Sequence, residues 1–505
     1  MKTNFFYLYI SCLFLLGTAL FGSCQDDDDF TTSSTSKLTF EADTIRFDTV
    51  ITTIGSSTKR FKVFNQNDKG LHISSVELES GGASGFRVNV DGHSSAQLSD
   101  IEILKKDSIF IFAEVTLPIQ GSNFPEYVSD KLIFNLESGV RQEIVLEAYG
   151  QDATFLHAPR YSSDTELSNE RPYIIYDSLV VDAGATLTIP EGTILMFHQG
   201  AYMGVHGTVE CNGTLEHQIT FRGDRTDKIF SYLPYDRMDA QWDGVILYPE
   251  SSNNVFDYVD IHGGKYGIDC PLSTSNDYKF FLHNSMIHNV SGDGLRCYYC
   301  IGQVLNSQIS NAGNYCVNLI GGSYNFVHTT IAQFYPWSSH ETALYFTNVV
   351  NDTIYPLEQA NFYNCLITGA STDEIVGNRL ENSDASFNVI FNKCLINVKI
   401  TGKEPEDILN IFSNSVNETG NTKDWKKDKD GVFSDDIIWG AKNFLTIDHE
   451  IFNYDFGLSD KSNARGIGDG KYVEYCPTDR NGVARPTENP DVGCYQFVEK
   501  VDSKQ

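Results

Sequence analysis

Basic residues are scarce in this chain of 505 residues, where 37 Lys and Arg stand against 67 Asp and Glu for a formal net charge of -30. Nucleic acids and anionic membrane surfaces attract positively charged proteins, so this balance excludes nucleic acid as a partner and disfavours direct adsorption to a membrane. Proline is also rare, at 14 residues, and no apolar heptad repeat is present, which excludes collagen-like and coiled-coil chains. Hydrophobic residues make up 41% of the sequence, enough to form packed cores.

Long apolar runs are absent except at residues 5–21, which follow Lys2 and precede Gly22 and Ser23. A positive residue, a short apolar run and small residues in this order are typical of an export signal. The alternative is a single membrane anchor, because the run approaches the ~20 residues that span a bilayer. We expect a signal peptide at residues 1–23.

Residues 21–24, Phe-Gly-Ser-Cys, resemble the lipobox of bacterial lipoproteins, in which the cysteine carries the lipid. The four aspartates at 26–29 resemble the surface-export signal of Bacteroidetes lipoproteins. The resemblance implies lipidation at Cys24, an acidic tether at residues 24–37 and an outer-membrane anchor with exposure at the cell surface. The protein would then contact the membrane through its lipid.

Apolar and polar residues alternate in short runs across residues 38–150, for example at Phe61 and Val63. A period of two is typical of strands buried on one face, and the Asn, Asp, Gly and Ser clusters between the runs indicate turns. Seven or eight short strands in roughly 110 residues predict an immunoglobulin-like β-sandwich. Residues 61–65 and 145–150 resemble Hydin-type immunoglobulin-like domains, which implies a spacer or a partner-binding arm.

Short β-patterned runs punctuated by glycine continue from residue 173, after a polar stretch at 151–172 that we interpret as a linker. The runs have no helical period, which favours a parallel sheet wound as a solenoid. Residues 173–221 and 242–246 resemble the first coils of right-handed parallel β-helix proteins with the pectate lyase fold. The resemblance implies such a β-helix over residues 173–402.

A six-residue motif repeats within this region. Asn-Ser-Met-Ile-His-Asn from Asn284 recurs as Asn-Ser-Gln-Ile-Ser-Asn from Asn306 and as His-Thr-Thr-Ile-Ala-Gln from His328, at a step of 22 residues each time. One solenoid coil of three short strands accounts for this period.

Two-fold alternation within the motif directs Ile287, Ile309 and Ile331 inward, in a stacked column. Each buried Ile contributes roughly 1.5 to 3 kcal/mol of transfer free energy. We therefore expect Asp in place of Ile309 to disrupt several coils, and Asp in place of Gln308 to be nearly silent.

The charged stretch between residues 403 and 430 predicts a solvated loop. Order returns at 452–458, and residues 478–486 and 490–495 resemble the closing segment of secreted bacterial β-helix proteins. We therefore assign residues 403–505 to a loop and a C-terminal closing segment.

Eleven cysteines are present. Cys297 and Cys300 form a lone CxxC pair without a second ligand pair, so buried thiols are expected there, with metal or redox roles as the alternative, and no metal or cofactor is assigned. Cys476 and Cys494 lie close together in the C-terminal segment of a protein expected to be exported, which makes them the candidate disulfide.

Aligning Ile261 with Ile287, and Ile268 with Leu295, brings charged side chains of two coils together on the outer surface. A polysaccharide lyase needs a base and cations that neutralise a uronate carboxylate, whereas a glycosidase needs two carboxylates across the bond. The alternative is a set of ordinary solvated turn residues. The candidate catalytic residues are His262, Lys265, His288, Asp293 and Arg296.

Aromatic side chains in the same coils suit a sugar polymer, because sugar faces pack on rings. The candidate ligand-binding residues are Tyr298, Tyr299, Tyr315, Tyr324 and Trp337. We expect a cell-surface lipoprotein that binds an extended ligand, a polysaccharide or another polymer, without catalysis. The alternatives are a polysaccharide lyase or glycoside hydrolase acting on the lateral face, and an adhesin that binds proteins.

Overall fold

The computed structural model describes residues 29–95, 97–380, 384–400, 406–418 and 439–499. The fold is all-β, as the sequence predicts, and the chain divides into two compact units between residues 151 and 152. Within the described ranges, no helix has the length and apolar character that crossing a bilayer requires. The export signal, Cys24 and the first residues of the acidic tether lie outside the described residues.

The first unit consists of two sheets with the strand orders β1-β3-β8-β5-β6 and β2-β10-β9-β4-β7, antiparallel apart from the parallel β2–β10 pair. The strands of its described part are β1 Thr39–Phe40, β2 Thr44–Ile51, β3 Lys59–Phe64, β4 Leu71–Leu78, β5 Phe86–Val90, β6 His93–Ser94, β7 Gln97–Ile103, β8 Ser108–Val115, β9 Glu126–Leu136 and β10 Arg141–Gln151.

The alternating apolar residues of the first unit form one hydrophobic core that draws on both sheets. Val63 of β3 and Ile111 of β8 come from one sheet, while Phe134 of β9 and Leu146 of β10 come from the other, and all four are fully buried. Since no cysteine occurs between residues 25 and 210, this unit is stabilised by packing and hydrogen bonds without a disulfide.

The second unit begins inside the stretch that we expected to be a linker. Residues 154–166 form three short strands, β11 Thr154–His157, β12 Arg160–Tyr161 and β13 Thr165–Glu166, which pair in parallel with later strands. The linker prediction is therefore wrong for these residues. Strands of two to four residues are too short to show a hydrophobic period, which is why the sequence did not reveal them.

The second unit continues with short strands separated by turns. They are β14 Tyr173–Tyr176, β15 Ser178–Val181, β16 Thr186–Pro190, β17 Ile194–Phe197, β18 Tyr202–Val205, β19 Thr208–Asn212, β20 Ile219–Gly223, β21 Lys228–Phe230, β22 Leu233–Pro234, β23 Gly244–Leu247, β24 Asn254–Asp257, β25 Val259–His262, β26 Ile268–Cys270, β27 Tyr278–His283, β28 Met286–Val290, β29 Leu295–Tyr298, β30 Ile301–Leu305, β31 Gln308–Ala312, β32 Val317–Ile320, β33 Gly322–Val327, β34 Thr330–Gln333, β35 Leu344–Thr347, β36 Val349–Val350, β37 Thr353–Ile354, β38 Leu357–Tyr363, β39 Leu366–Gly369, β40 Ile375–Asn378, β41 Phe387–Ile396, β42 Asn414–Asn417, β43 Phe444–Asp448 and β44 Asn453–Leu458.

Helical structure is confined to short segments in the described part of the chain. One α-helix, α1 Glu406–Phe412, and strand β42 lie within the charged stretch that we predicted to be a loop, so that prediction is wrong for these residues. Residues 403–405 and 419–430 of the stretch lie outside the described residues. Three 3-10 helices span Tyr235–Arg237, Trp439–Asn443 and Gly470–Glu474.

Two long parallel sheets dominate the second unit, one of 19 strands and one of 9 strands. Each repeat of the chain adds two strands to the larger sheet and one to the smaller sheet. For example, β27 and β28 pair with β30 and β31, while β29 pairs with β32. The antiparallel pairs β21–β22, β36–β37 and β43–β44 are local hairpins outside these sheets.

The register of the larger sheet confirms the predicted aliphatic column. Each fully buried side chain of the column is paired in register with one on the next strand. Leu295, Val317 and Leu344 are aligned in the same way in the smaller sheet. The column consists of Phe221, Ile261, Ile287, Ile309, Ile331, Ile367 and Ile396.

The polar residues of the repeated motif form the turn between its two strands and hydrogen-bond to the backbone there. Asn284 and Asn306 have positive φ angles of 49° and 52°, a conformation that Asn tolerates better than most residues. Ser285 and Ser307 point inward, and the Ser307 hydroxyl accepts a hydrogen bond from the backbone N–H of Ser285 at 3.1 Å.

The C-terminal segment packs against the outer face of the larger sheet. The Tyr495 hydroxyl donates a 2.8 Å hydrogen bond to Gln308, and the backbone N–H of Cys494 donates a 3.0 Å hydrogen bond to Thr330. Gln308 is only 5% exposed. The expectation that Asp at Gln308 would be nearly silent is therefore wrong, because residues almost 190 positions downstream cover an outward-facing side chain.

Candidate functional site

Two neighbouring strands place a pair of histidines side by side on the outer face of the larger sheet. Ile261 of β25 and Ile287 of β28 are aligned and point inward, so the residues that follow them point outward. The rings of His262 and His288 stack with their centroids 4.9 Å apart. The sequence predicted this pairing, and the register confirms it.

The two histidines belong to a chain of hydrogen bonds and ion pairs. Asp260 Oδ1 lies 2.9 Å from His262 Nδ1 and 3.0 Å from His288 Nε2. His262 Nε2 lies 2.9 Å from Asp236 Oδ1, which is also 2.7 Å from Arg222 Nη1. We call Arg222, Asp236, Asp260, His262 and His288 the His–Asp network.

Burial and mutual charge set the ionisation of this network. Burial opposes the charged form of His262, but the carboxylates of Asp260 and Asp236 raise its pKa to about 9. Burial likewise opposes ionisation of Asp260, yet the two histidines hold the pKa of this carboxyl well below its ordinary value. The hydrogen bond and charge of His262, with Arg222, lower the pKa of Asp236 to about 2 against the effect of burial. At neutral pH, two cations and two anions therefore compensate one another within the network, beside His288.

His288 connects the network to a cleft of about 300 Å³. Its Nε2 contacts Asp260, so in the neutral ring with Nε2–H the lone pair resides on Nδ1, which has no hydrogen-bond partner among the described residues. The polar cleft is lined by Asp236, Arg237, Met286, His288, Asn289, Gln308, Asn311, Phe452, Asn453, Tyr454, Asp455, Phe456 and Tyr495.

The lining of the polar cleft combines rings with hydrogen-bonding groups. Phe452 stacks on Trp337 with centroids 4.0 Å apart, and the Tyr454 hydroxyl lies 3.0 Å from His449 Nδ1. The side-chain oxygen of Asn311 is buried and has no hydrogen-bond partner in the described part of the chain. The cleft thus offers apolar ring surface next to groups that accept hydrogen bonds.

The structure separates the five predicted catalytic residues into two places. His262 and His288 lie in the His–Asp network. Arg296 lies in β29 of the smaller sheet, Asp293 precedes that strand, and neither residue is part of the cleft lining. Arg296 makes two hydrogen bonds of 2.7 and 2.6 Å to Asp269, as the alignment of these residues predicted. Lys265 is exposed, with Nζ 5.6 Å from the centre of the Tyr266 ring.

Asp293 has a structural role that the sequence did not reveal. It is only 4% exposed, accepts hydrogen bonds from Asn318 and from the backbone of Tyr315, and its pKa is raised because burial outweighs these bonds. The five residues therefore do not form one catalytic cluster. The prediction placed strands in register correctly but could not assign the turns that follow them to one face.

The structure also places the predicted ligand-binding aromatic residues in different parts of the second unit. Tyr324 is fully buried, so its selection as a binding residue is wrong: its ring fills the core. Tyr298 and Tyr299 pack edge-on against Tyr355, and Tyr315 stacks on Tyr345 with centroids 4.8 Å apart. Trp337, which stacks on Phe452, is the predicted aromatic residue that packs against the lining of the polar cleft.

Sequence reasoning missed several residues of the site. Asp260 could have been found, because it precedes His262 by two positions and shares its outward face. Arg222 could also have been found, because it follows Phe221 as His262 follows Ile261. Asp236 comes from outside the repeated motif, and Asp455 comes from the C-terminal segment. Their positions depend on tertiary contacts that no local period encodes.

Cys297 and Cys300 are buried thiols, as the sequence predicted, whereas the expected disulfide is absent. Cys476 and Cys494 are free thiols in separate hydrophobic clusters, with Cys476 beside Val327 and Cys494 beside Leu366, so the disulfide prediction is wrong. The sequence assigned no metal site, but two groups of side chains in the described residues have ligand atoms within 4.8 Å of one another. They are Asp260, His262 and His288, and Cys270, Cys297 and Cys300.

No protein-family model matches this chain, and no curated protein matches its sequence. Among solved structures, one similar chain is a family 123 glycoside hydrolase from Clostridium perfringens, described for glycolipid glycan hydrolysis. The two are 8% identical over 24% of this chain and 26% of the hydrolase chain, with a TM-score of 0.16. This chain thus spans about a quarter of that chain's length, and a likeness at this level carries no argument about fold or chemistry.

Proposed function

We propose that the polar cleft binds a segment of a neutral, hydroxyl-rich polysaccharide. The observation that carries the proposal is Asn311, a residue of the cleft lining whose buried side-chain oxygen receives no hydrogen bond from a described residue. A buried acceptor without a partner costs about 1–3 kcal/mol. A sugar hydroxyl that donates to Asn311 removes this cost, and His288 Nδ1 offers a second acceptor in the same cleft.

The rest of the lining favours neutral over acidic sugars. Asp455 presents an exposed carboxylate, which repels a uronate carboxylate but accepts hydrogen bonds from hydroxyl groups. Phe452 and Tyr454 supply ring surface on which the apolar face of a sugar packs. One cation, Arg237, lines the cleft, and it already donates a 2.8 Å hydrogen bond to the carbonyl of Ile451.

Catalysis at His288 is the second candidate function. Asp260 contacts the ring through Nε2, and His288 lines the cleft, which is the arrangement of a general base oriented by a carboxylate. The buried ion pairs behind it are costly unless geometry is well defined, and such groups concentrate at functional sites. On a polysaccharide, this base would activate water for hydrolysis or remove a proton for elimination.

The polysaccharide proposal is tested by retention and cleavage measurements on a panel of neutral and acidic polysaccharides. We expect retention on a neutral polysaccharide, weakened at least about tenfold in Asn311→Gly, which corresponds to the ~1.4 kcal/mol of one hydrogen bond. Glycine is chosen because residue 311 has a φ of 53°. Tyr345→Ala, which alters the separate Tyr315–Tyr345 pair, is the control and should bind normally.

The same panel separates the alternatives. Chain cleavage that disappears in His288→Gln supports catalysis. Retention lost in Tyr345→Ala but kept in Asn311→Gly moves the site to the tyrosines of the smaller sheet. A protein that binds no polysaccharide contradicts the proposal and favours an adhesin with protein partners.

We further infer that the second unit is a right-handed parallel β-helix and the first an immunoglobulin-like sandwich. The 22-residue parallel register between β28, β31 and β34 supports the β-helix, and two five-stranded sheets that share one core support the sandwich.

Lipidation at Cys24, outer-membrane anchoring and surface exposure remain proposals from the sequence. Protease treatment of intact cells should degrade the protein, and Cys24→Ala should release it from the membrane fraction.

A further inference from the structure

Three cysteines meet in the core of the second unit, away from the polar cleft. Cys270 at the end of β26 and Cys297 of β29 are partners in adjacent parallel strands. Cys300 follows Tyr299, whose positive φ of 50° turns the chain after β29. The three sulfur atoms lie within 4.8 Å of one another. The alignment of Ile268 with Leu295 already places Cys270 opposite Cys297, and the turn after β29 adds Cys300.

The sulfur cluster is closed off from solvent. Cys270 and Cys297 are fully buried, and Cys300 is 2% exposed. Burial raises the pKa of the Cys270 and Cys297 thiols well above the ordinary value. Burial also opposes ionisation of Cys300, but hydrogen bonds from the other two cysteines and Tyr324, with the charge of a nearby lysine, hold its pKa well below that value.

That lysine is Lys279, a fully buried cation. Its Nζ donates hydrogen bonds of 2.9, 3.0 and 2.5 Å to the carbonyls of Tyr248, Pro249 and Ser251. Carbonyl oxygens satisfy its protons but carry no net charge, and no described carboxylate forms an ion pair with it. Its charge interacts with all three cysteines and with Glu250, so a thiolate in the cluster lies beside a cation that stabilises it.

An oxygen donor completes the surroundings of the sulfurs. The hydroxyl of Tyr324, fully buried on β33, lies 3.7 Å from Cys300 Sγ and 3.4 Å from the Cys300 backbone nitrogen. Glycine at position 322 avoids a steric clash with Cys300, because a Cβ on residue 322 would lie 2.3 Å from the Cys300 carbonyl oxygen. Three sulfurs and one oxygen are a donor set that suits a tetrahedral, thiolate-binding cation.

We propose that Cys270, Cys297 and Cys300 bind one Zn²⁺ as a structural site, with the Tyr324 hydroxyl as the fourth donor. Zn–S bonds of about 2.3 Å in a tetrahedron place sulfurs about 3.8 Å apart, so the sulfurs need only a small contraction. Binding requires all three sulfurs as thiolates, and three thiolates with Zn²⁺ carry a net charge of minus one. Lys279 neutralises that charge, which gives this buried lysine a function.

The test measures metal in the full chain after refolding with Zn²⁺, or with Co²⁺ as a coloured substitute, in the presence of a reductant. We expect about one metal ion per chain and, with Co²⁺, the sulfur-to-metal absorption and visible bands of a tetrahedral thiolate site. Cys297→Ser should weaken binding at least about tenfold, because serine cannot supply a thiolate. Cys316→Ser is the matched control, since Cys316 is buried in the same core outside the cluster.

The Zn²⁺ proposal is overturned if wild-type protein takes up no metal, or if Cys297→Ser binds as wild type does. It is also overturned if the unreduced protein has lost the mass of two hydrogens through a disulfide between Cys270 and Cys297. Should Cys297→Ser fail to fold, Tyr324→Phe decides: the altered donor set should shift the Co²⁺ spectrum, and an unchanged spectrum counts against the site. None of these outcomes depends on polysaccharide binding.

Discussion

Ile309 lies in the middle of the aliphatic column of the second unit and is fully buried between Ile287 and Ile331. We expect Ile309→Ala to reduce the free energy of unfolding by about 2–5 kcal/mol, because it removes buried methylene groups and leaves a cavity. Urea unfolding followed by circular dichroism measures the change. Ile390→Ala is the control: Ile390 is 46% exposed on β41 of the same sheet, and its loss should change stability by less than about 0.5 kcal/mol.

His262 predicts a specific dependence of stability on pH. Its pKa of about 9 in the folded protein exceeds the ordinary value of 6.5, so folding favours its protonated form. This contribution is fully present below pH 6.5 and is lost as the pH rises through 9, amounting to about 3 kcal/mol at most. Asp236 acts in the opposite direction: with a pKa of about 2, its contribution is present above pH 3.8 and disappears as the pH falls towards 2.

The measurement for His262 is urea unfolding of wild type and His262→Gln at pH 6, 7.5 and 9. The difference in unfolding free energy between the two proteins should be greatest at pH 6 and should shrink towards pH 9. A difference that stays constant over this range would show that the charge of His262 does not stabilise the fold. His283→Gln provides a comparison, because burial lowers the pKa of His283, so any dependence on pH should have the opposite sign.

Individual residues of the site were predictable only where the alignment of repeated strands fixes their position. The stacking of His262 on His288 followed from the alignment of Ile261 with Ile287. Asp236 could not be predicted, because the segment before β23 places it, and no repeat relates that segment to the strands. Gln308 was misjudged for the same reason, since the residue that covers it comes from the distant C-terminal segment.

At the scale of the strand and its turn, the Asn-Ser motif specifies a corner. Asn284 adopts a φ of 49°, and its amide donates a 2.8 Å hydrogen bond to Asp257 while its oxygen accepts one of 2.7 Å from Asn306. We expect Asn284→Ala to cost about 1–2 kcal/mol more than Asn284→Gly, although both lose the hydrogen bonds, because glycine adopts this conformation without strain. Equal unfolding free energies for the two variants would show that the corner is not under backbone constraint.

A second element-scale prediction concerns the C-terminal segment. Tyr495→Phe removes the hydroxyl that donates to Gln308 and leaves a buried acceptor unsatisfied. We expect a loss of about 1–2 kcal/mol in the free energy of unfolding. Combining it with Gln308→Leu should restore part of that loss, since the unsatisfied acceptor is then absent. Additive losses in the double variant would mean that the two side chains do not interact.

The elements themselves were predictable where one face is buried over several repeats. The 22-residue spacing of the motif gave the register of β28, β31 and β34, and alternation gave the strands of the first unit. The strands β11, β12 and β13 were not predicted, because two to four residues are too few to show a hydrophobic period. The proximity of Cys300 to Cys270 was not predicted, because it depends on the turn at Tyr299 and not on the register of the strands.

At the scale of the whole molecule, the two compact units have separate hydrophobic cores, one around Phe134 and one around the aliphatic column. Each core is buried by the sheets of its own unit, so each unit should unfold in a separate cooperative transition. We therefore expect two resolvable transitions in calorimetry. Ile309→Ala should lower the transition of the second unit by several degrees and leave the other unchanged, whereas Phe134→Ala should do the reverse. A shift of both transitions by either variant, or a single transition in every variant, would show that the units unfold as one.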